Sequence, residues 1–110
     1  MSLDRQALQT LKCARDLLSD PSRWCKRTRA RNMDGEPRSP HSREATQWDL
    51  SGALERCTTG VSSELRALAI LQKILKSSSI GEWNDNASHE QLMHLFTNAI
   101  IEATLQTQSR

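Results

Sequence analysis

Tyrosine is absent from this 110-residue chain, and phenylalanine occurs once. Three tryptophans therefore carry nearly all the aromatic bulk, and the core must be built mainly from leucine, isoleucine and alanine. That composition favours helices over sheets, because β-branched and aromatic residues are what a pleated surface packs best. Only four glycines are present and none are clustered, which excludes a glycine-rich phosphate loop. No apolar run approaches the roughly 20 residues that span a bilayer. The three cysteines form no CxxC pair and are odd in number, so they do not read as a disulfide framework. The N-terminal stretch is amphipathic and charged throughout, unlike a secretory signal. The expectation from these absences is a reduced, cytoplasmic, single-domain protein with no membrane segment, no cofactor and no metal.

The charge is unevenly placed. The formal net charge is only +2, yet Arg23, Lys26, Arg27, Arg29, Arg31, Arg38 and Arg43 face only Asp34 and Glu36 within their own stretch. From Gly60 to Ser109 the balance reverses, with Arg66, Lys73 and Lys76 against Glu64, Glu82, Asp85, Glu90 and Glu102. One end of the molecule is expected to be basic and the other mildly acidic.

Helical spacing is plain in four places. Leu3, Ala7, Leu8, Leu11, Ala14, Leu17 and Leu18 recur on one face behind Ser2, and Asp20-Pro21 stops the run, predicting a helix over 3–19. Ser39-Pro40 reads as an N-cap with proline at the first helical position, predicting a helix over 40–56 that buries Ala45, Trp48, Ala53 and Leu54 or Cys57. Gly52 inside it is unfavourable by about 1 kcal/mol relative to alanine, which points to the close approach of another backbone. A third helix over 62–76 is apolar over a wide arc and is expected to be the central element, closed by Ser77-Ser78-Ser79 and Gly81. After the turn-rich connection "IGEWNDNAS", Ser88 and Gln91 form a capping box for a last helix over 88–105, which ends in "QTQSR". Between the first two helices, residues 22–39 lose the helical period. Asp34-Gly35 favours a turn with positive φ, so "WCKRTRA" and "EPRSP" could pair as a short hairpin, weakened by Pro37. The expected fold is thus mainly α: about four amphipathic helices in a small bundle, with an irregular or short β-hairpin arm between the first two.

Chemistry is sparse. "HEQLMH" departs from the zinc signature HExxH, because His89 and His94 are five residues apart and lie about 140° apart around a helix. Cys25 lies among basic residues that would favour its thiolate, and His41 lies across the turn, but no motif of a cysteine enzyme surrounds either. Cys25, His41 and Cys57 lack metal-ligand spacing. The strongest polar signal is the arm itself. Lys26, Arg27, Arg29, Arg31 and Arg38 could meet phosphates or an acidic partner, with Trp24 able to stack. Some of these cations could instead pair with Asp49, Glu55 or Asp85 and hold the arm down.

The segments "RW" at Arg23-Trp24, "ARNMDG" at Ala30 to Gly35, "ATQWDLSGAL" at Ala45 to Leu54 and "WND" at Trp83 to Asp85 together carry a resemblance. From about Leu8 to Ile100 the chain resembles DUF6197, a family of small bacterial and phage-borne proteins of unknown function. The resemblance implies a leading helix, an arm, and a final amphipathic helix after Trp-Asn-Asp, and implies no activity. Where the family usually has Trp-Cys, this chain has Trp48-Asp49, and its arm is more basic. A chemical role for the family's cysteine would here be lost or moved to Cys25 or Cys57.

Trp24, Trp48 and Trp83 could meet in one cluster with Asp49, Asn84 and Asp85 as indole partners, as a core that pins the arm or as a pocket lined by Trp48, Asp49, Trp83, Asn84 and Asp85. The function expected first is a non-enzymatic protein–protein interaction module that uses the basic arm and has no catalytic residues. Nucleic-acid binding through the same arm is the alternative, and a small cysteine-dependent enzyme the third. Homodimerisation through the broad third helix stays open.

Overall fold

The computed structural model describes residues 2–77 and 79–108. It contains α1 (Leu3–Leu18), β1 (Ala30–Arg31), β2 (Gln47–Trp48), α2 (Leu50–Cys57), α3 (Val61–Leu75), α4 (Ile80–Asn86) and α5 (His89–Gln108). Among the described residues the fold is mainly helical, with five α-helices rather than four and one small antiparallel sheet.

α1 begins where Ser2 accepts a hydrogen bond from the Arg5 amide and buries Ala7, Leu8, Leu11, Ala14 and Leu18 along one face. That face packs against α5, α3 and α2. α1 is therefore the central element, not the third helix as its wide apolar arc suggested. α3 leaves Val61 and Leu65 exposed and turns only Ala67, Ile70 and Leu71 fully inward among its apolar residues. Leu11, Leu18, Leu50, Leu54, Leu71, Leu92 and Phe96 are almost completely buried in one continuous cluster. Each contributes roughly 1.5–3 kcal/mol of apolar burial. Asp4, buried at the start of α1, is ion-paired with Arg66 of α3, which fixes the crossing of the two helices.

Two helical boundaries differ from expectation. The segment from Pro40 to Thr46 is not helical. Ser39-Pro40 opens a turn in which the Ser42 amide donates to the Ser39 carbonyl and the His41 amide donates to Ser39 Oγ. The chain then runs extended through β2, and Asp49, not Ser39, caps α2 by accepting from the Gly52 amide. Two competing caps lie ten residues apart, and Trp48 decides between them. Its indole donates to the Pro40 carbonyl, a contact that requires the chain to fold back rather than coil. The second difference is α4, which occupies most of "IGEWNDNAS". α3 ends at Lys76, in the left-handed conformation (φ 55°). The next helix is anchored by Ile80 and Asn84, four residues apart and both buried. Ser78 of the serine run and the end of "QTQSR" lie outside the described residues. The Ser88–Gln91 capping box forms as read: the Ser88 amide donates to Gln91 Oε1 and the Gln91 amide to Ser88 Oγ.

The cysteine expectation is corrected. Cys13 of α1 and Cys57 at the end of α2 are joined by a disulfide, with Cα atoms 5.7 Å apart, and Cys25 alone is free. The two partners are separated by 44 residues, and only the packing of α2 on α1 brings them together. Among the described residues no helix is long and apolar enough to cross a membrane.

Candidate functional site

The arm between α1 and α2 is an ordered structure pinned at four places. At its tip, the Asn32 carboxamide oxygen accepts from the amides of Asp34 and Glu36, and Gly35 adopts φ +81°. The Asp34-Gly35 turn is thus where the sequence placed it, and Arg31 and Pro37 form a single antiparallel bridge across it. In the middle, β1 pairs with β2, with Ala30 opposite Trp48. The basic segment thus pairs on one side with Gln47-Trp48 and on the other with "EPRSP", where the Arg38 amide donates to the Ala30 carbonyl and the Asn32 amide to the Glu36 carbonyl, so the expected short hairpin forms and β2 is added beside it. At the base, the Asp49 amide donates to the Arg29 carbonyl. There Gly52 faces the Arg29 carbonyl so closely that an added Cβ would overlap it. The close backbone approach inferred from Gly52 is this contact.

The fourth pin is Asn84, which is completely buried. Its Oδ1 accepts from the Trp24 indole at 2.7 Å and the Leu50 amide at 3.0 Å. Its Nδ2 donates to the Cys25 carbonyl at 3.2 Å. One side chain on α4 thereby ties the start of the arm to the first turn of α2. Next to it, Asp85 Oδ1 accepts the Arg27 amide at 2.8 Å and holds Arg27 at φ 71°, a region that non-glycine residues rarely occupy.

The arm's cations are mostly engaged within the molecule. Lys26 Nζ donates to the Ala87 carbonyl and lies 5.0 Å from the Trp24 ring centre. Arg31 donates to the carbonyls of Gly35 and Lys26. Arg29 pairs with Glu55 and, at 3.9 Å, with Glu64. Arg38 pairs with Glu36 and Glu44. The side chains of Arg23, Arg27 and Arg43 are exposed and make no hydrogen bond or ion pair among the described residues. Met33 at the tip is 88% exposed. The pairing with Glu55 was anticipated, whereas Asp85 holds a backbone amide instead of a guanidinium.

Trp48 lies in the hydrophobic core and Trp24 and Trp83 pack against it, but among the described residues no two of the three rings are in aromatic contact. The ring partner of Trp24 is His89, at 5.9 Å. Trp48 is buried, and Arg56 lies 5.5 Å from its ring centre. Trp83 is half-buried and borders a shallow cleft of about 260 Å³ with Ser77, Ser79, Glu82 and Asn86. Trp48, Asp49 and Asn84 are buried and hydrogen-bonded within the fold. Asn32 and Met33 stand in the turn segment, but the sequence assigns no site role to either. An asparagine two residues before Asp-Gly was the available signal, since its side chain can accept from the turn's own amides.

Two titratable groups are shifted by burial. Burial, reinforced by the nearby Asp49 carboxylate, pushes the Cys25 thiol up to about 11, and its Sγ lies 3.5 Å from the Thr28 carbonyl. His41 is paired with Glu55 at 3.5 Å. At neutral pH Cys25 is therefore a thiol and a poor nucleophile. Native protein treated with iodoacetamide at pH 7 should leave Cys25 largely unmodified, with full labelling appearing by mass spectrometry only after denaturation.

Asp49 is also raised, by burial first, with the Gly52 amide and Arg29 opposing. A carboxyl raised in the folded state favours the protonated form there, so its ionisation opposes folding above the unfolded value and stops doing so as the pH falls through it. Asp49→Asn keeps an acceptor at the N-cap and should leave the protein as stable as the parent, or more so, at pH 7. Urea unfolding should show that difference vanishing below the ordinary aspartate range.

The fold and its site define a class: a small helical domain carrying a hydrogen-bonded, cation-rich arm on a bundle centred on α1. The chain belongs to the family described as "Family of unknown function (DUF6197)", whose profile matches residues 2–102. No match was found among curated proteins or solved structures. Among the described residues, no three of the His, Cys, Asp and Glu side chains are grouped to hold a metal ion.

Proposed function

We propose that this protein is a non-enzymatic interaction module that binds a protein partner stoichiometrically through the arm. The observation that carries the reading is the contrast within the arm. Lys26, Arg29, Arg31 and Arg38 are engaged internally, while the apolar Met33 projects from a hydrogen-bonded tip. A polyanion needs a row of unpaired cations, whereas a rigid tip with one flexible apolar side chain suits a protein socket. The same reading places the module in a bacterial or phage-borne, cytoplasmic setting. A photo-crosslinking amino acid at position 33 should capture one protein in stoichiometric yield, and the same group at exposed Asn98 should not. Equal or absent capture at position 33 would refute the reading.

Nucleic-acid binding keeps one observation in its favour, the unpaired Arg23, Arg27 and Arg43. Neutralising three phosphates would lower duplex affinity by about 40-fold between 50 and 200 mM salt. Fluorescence anisotropy with a labelled duplex measures this directly.

A further inference from the structure

We propose that the Cys13–Cys57 disulfide is a thiol-exchange site, at which an external thiolate attacks the Cys13 sulfur and frees the end of α2 from α1. The two sulfurs are unequally placed. Cys13 is exposed on the outer side of α1, whereas Cys57 is half-buried and packed against the hydrophobic core. Both border a cleft of about 340 Å³ lined otherwise by Gln6, Gln9, Thr10 and Thr59. Its walls are uncharged and offer amide and hydroxyl groups, so a small dithiol or an extended cysteine-bearing segment can enter without meeting a like charge. Which sulfur is attacked depends on access, and access here selects Cys13.

The exchange balances with a dithiol as reductant. Its first thiolate forms a bond to Cys13 Sγ, and the electron pair of the protein disulfide leaves on Cys57 Sγ, which takes a proton from solvent. The second thiol, as its thiolate, displaces Cys13, releasing a cyclic disulfide and a Cys13 thiolate that is protonated in turn. Two electrons pass from the dithiol to the protein, and no other reactant is needed.

The consequence lies in what α2 holds. Gly52 lies against the Arg29 carbonyl, and Glu55 pairs with Arg29 and His41. Arg56 donates to the Pro40 and Ser42 carbonyls and covers Trp48. α2 is therefore the wall on which the arm rests, and the disulfide is the one covalent tie between that wall and α1. Opening it loosens the support of the arm without touching the arm itself. The inference is independent of what the arm binds.

The test uses the full chain, isolated without reductant and then treated with dithiothreitol under native conditions. Intact mass should show the disulfide present at first and the pair of thiols after treatment. Hydrogen exchange of the Cys25 and Asp49 amides should then accelerate by about tenfold, as expected for a local opening made easier. In single variants, Cys13 of Cys57→Ser should react with 5,5′-dithiobis(2-nitrobenzoate) at least about tenfold faster than Cys57 of Cys13→Ser, because exposure governs thiol reactivity. Air-equilibrated protein with both thiols free, a disulfide that resists dithiothreitol until the chain unfolds, equal reactivity of the two cysteines, or unchanged exchange in the arm would each overturn the proposal. The reduction and exchange measurements need no variant, so a folding defect in the serine variants leaves the test intact.

Discussion

Asn84→Ala is expected to destabilise the protein by about 4 kcal/mol, the sum of several buried groups losing their partner. Asn84 is completely buried and serves two donors and one carbonyl that belong to different parts of the chain. Its removal strands the Trp24 indole N–H, the Leu50 amide and the Cys25 carbonyl together. Each would cost roughly 1–3 kcal/mol if left unsatisfied, and water entering the small void offsets part of that. The loss should be read as a lower urea midpoint with an unchanged slope, accompanied by a shift of Trp24 emission toward that of exposed indole. Asn84→Asp separates the two halves of the role. It keeps an acceptor for Trp24 and Leu50, loses the donor to Cys25, and sets a second carboxylate beside Asp85. It should fall between the parent and the alanine variant at low pH and approach the alanine variant at neutral pH. A loss under 1 kcal/mol for Asn84→Ala would show that the arm is not held through α4.

Gly52→Ala is the second large effect, about 3 kcal/mol, the upper end of what overpacking a tight contact costs. The obstacle is a backbone carbonyl, that of Arg29, which cannot rotate away as a side chain would. Either α2 or the arm must shift, and both moves strain the Asp49–Arg29 backbone hydrogen bond and the Arg29–Glu55 pair. Alanine is the better helix former by about 1 kcal/mol, so intrinsic propensity predicts the opposite sign. The experiment therefore decides between local preference and tertiary contact, and stabilisation of the alanine variant would refute the close packing. Gly52→Ser should lose at least as much, since the clash arises at Cβ.

These two residues also show where reading the chain alone succeeds. Gly52 in a helical stretch signals a close neighbour because nothing local favours glycine there, and the structure supplies that neighbour. Asn84 and Asp85 were recognisable as partners for a buried indole, and Asn84 takes that role for Trp24. The choice of Trp24 over Trp48 was not recognisable. Trp48 instead finds the Pro40 carbonyl, a backbone group with no sequence signature.

Other features resisted for the same reason. Ser39-Pro40 and Asp49 are both competent helix caps, and local chemistry ranks them nearly equal. The extended pairing of Gln47-Trp48 with Ala30-Arg31 settles the matter through contacts made some seventeen residues away along the chain. The basic arm looked like a row of available charges because sequence lists cations without their partners. Folding places Glu55, Glu64 and Glu44 within reach of Arg29 and Arg38, and the usable charge shrinks to Arg23, Arg27 and Arg43.

By itself, the sequence determined what depends on neighbours within a turn or two. Those features are the helical class, the face of α1, the Asp34-Gly35 turn and the Ser88–Gln91 box. They follow from periodicity, capping and turn chemistry, which act over a few residues. Only the tertiary structure decided the Cys13–Cys57 pairing, the central place of α1, the internal use of the arm's cations and the role of Asn84. The disulfide, the helix packing, the Asn84 contacts and the Arg29–Glu55 and Lys26–Ala87 contacts join residues dozens of positions apart, and their meeting depends on how the helices pack around one core rather than on any preference carried in the local chain.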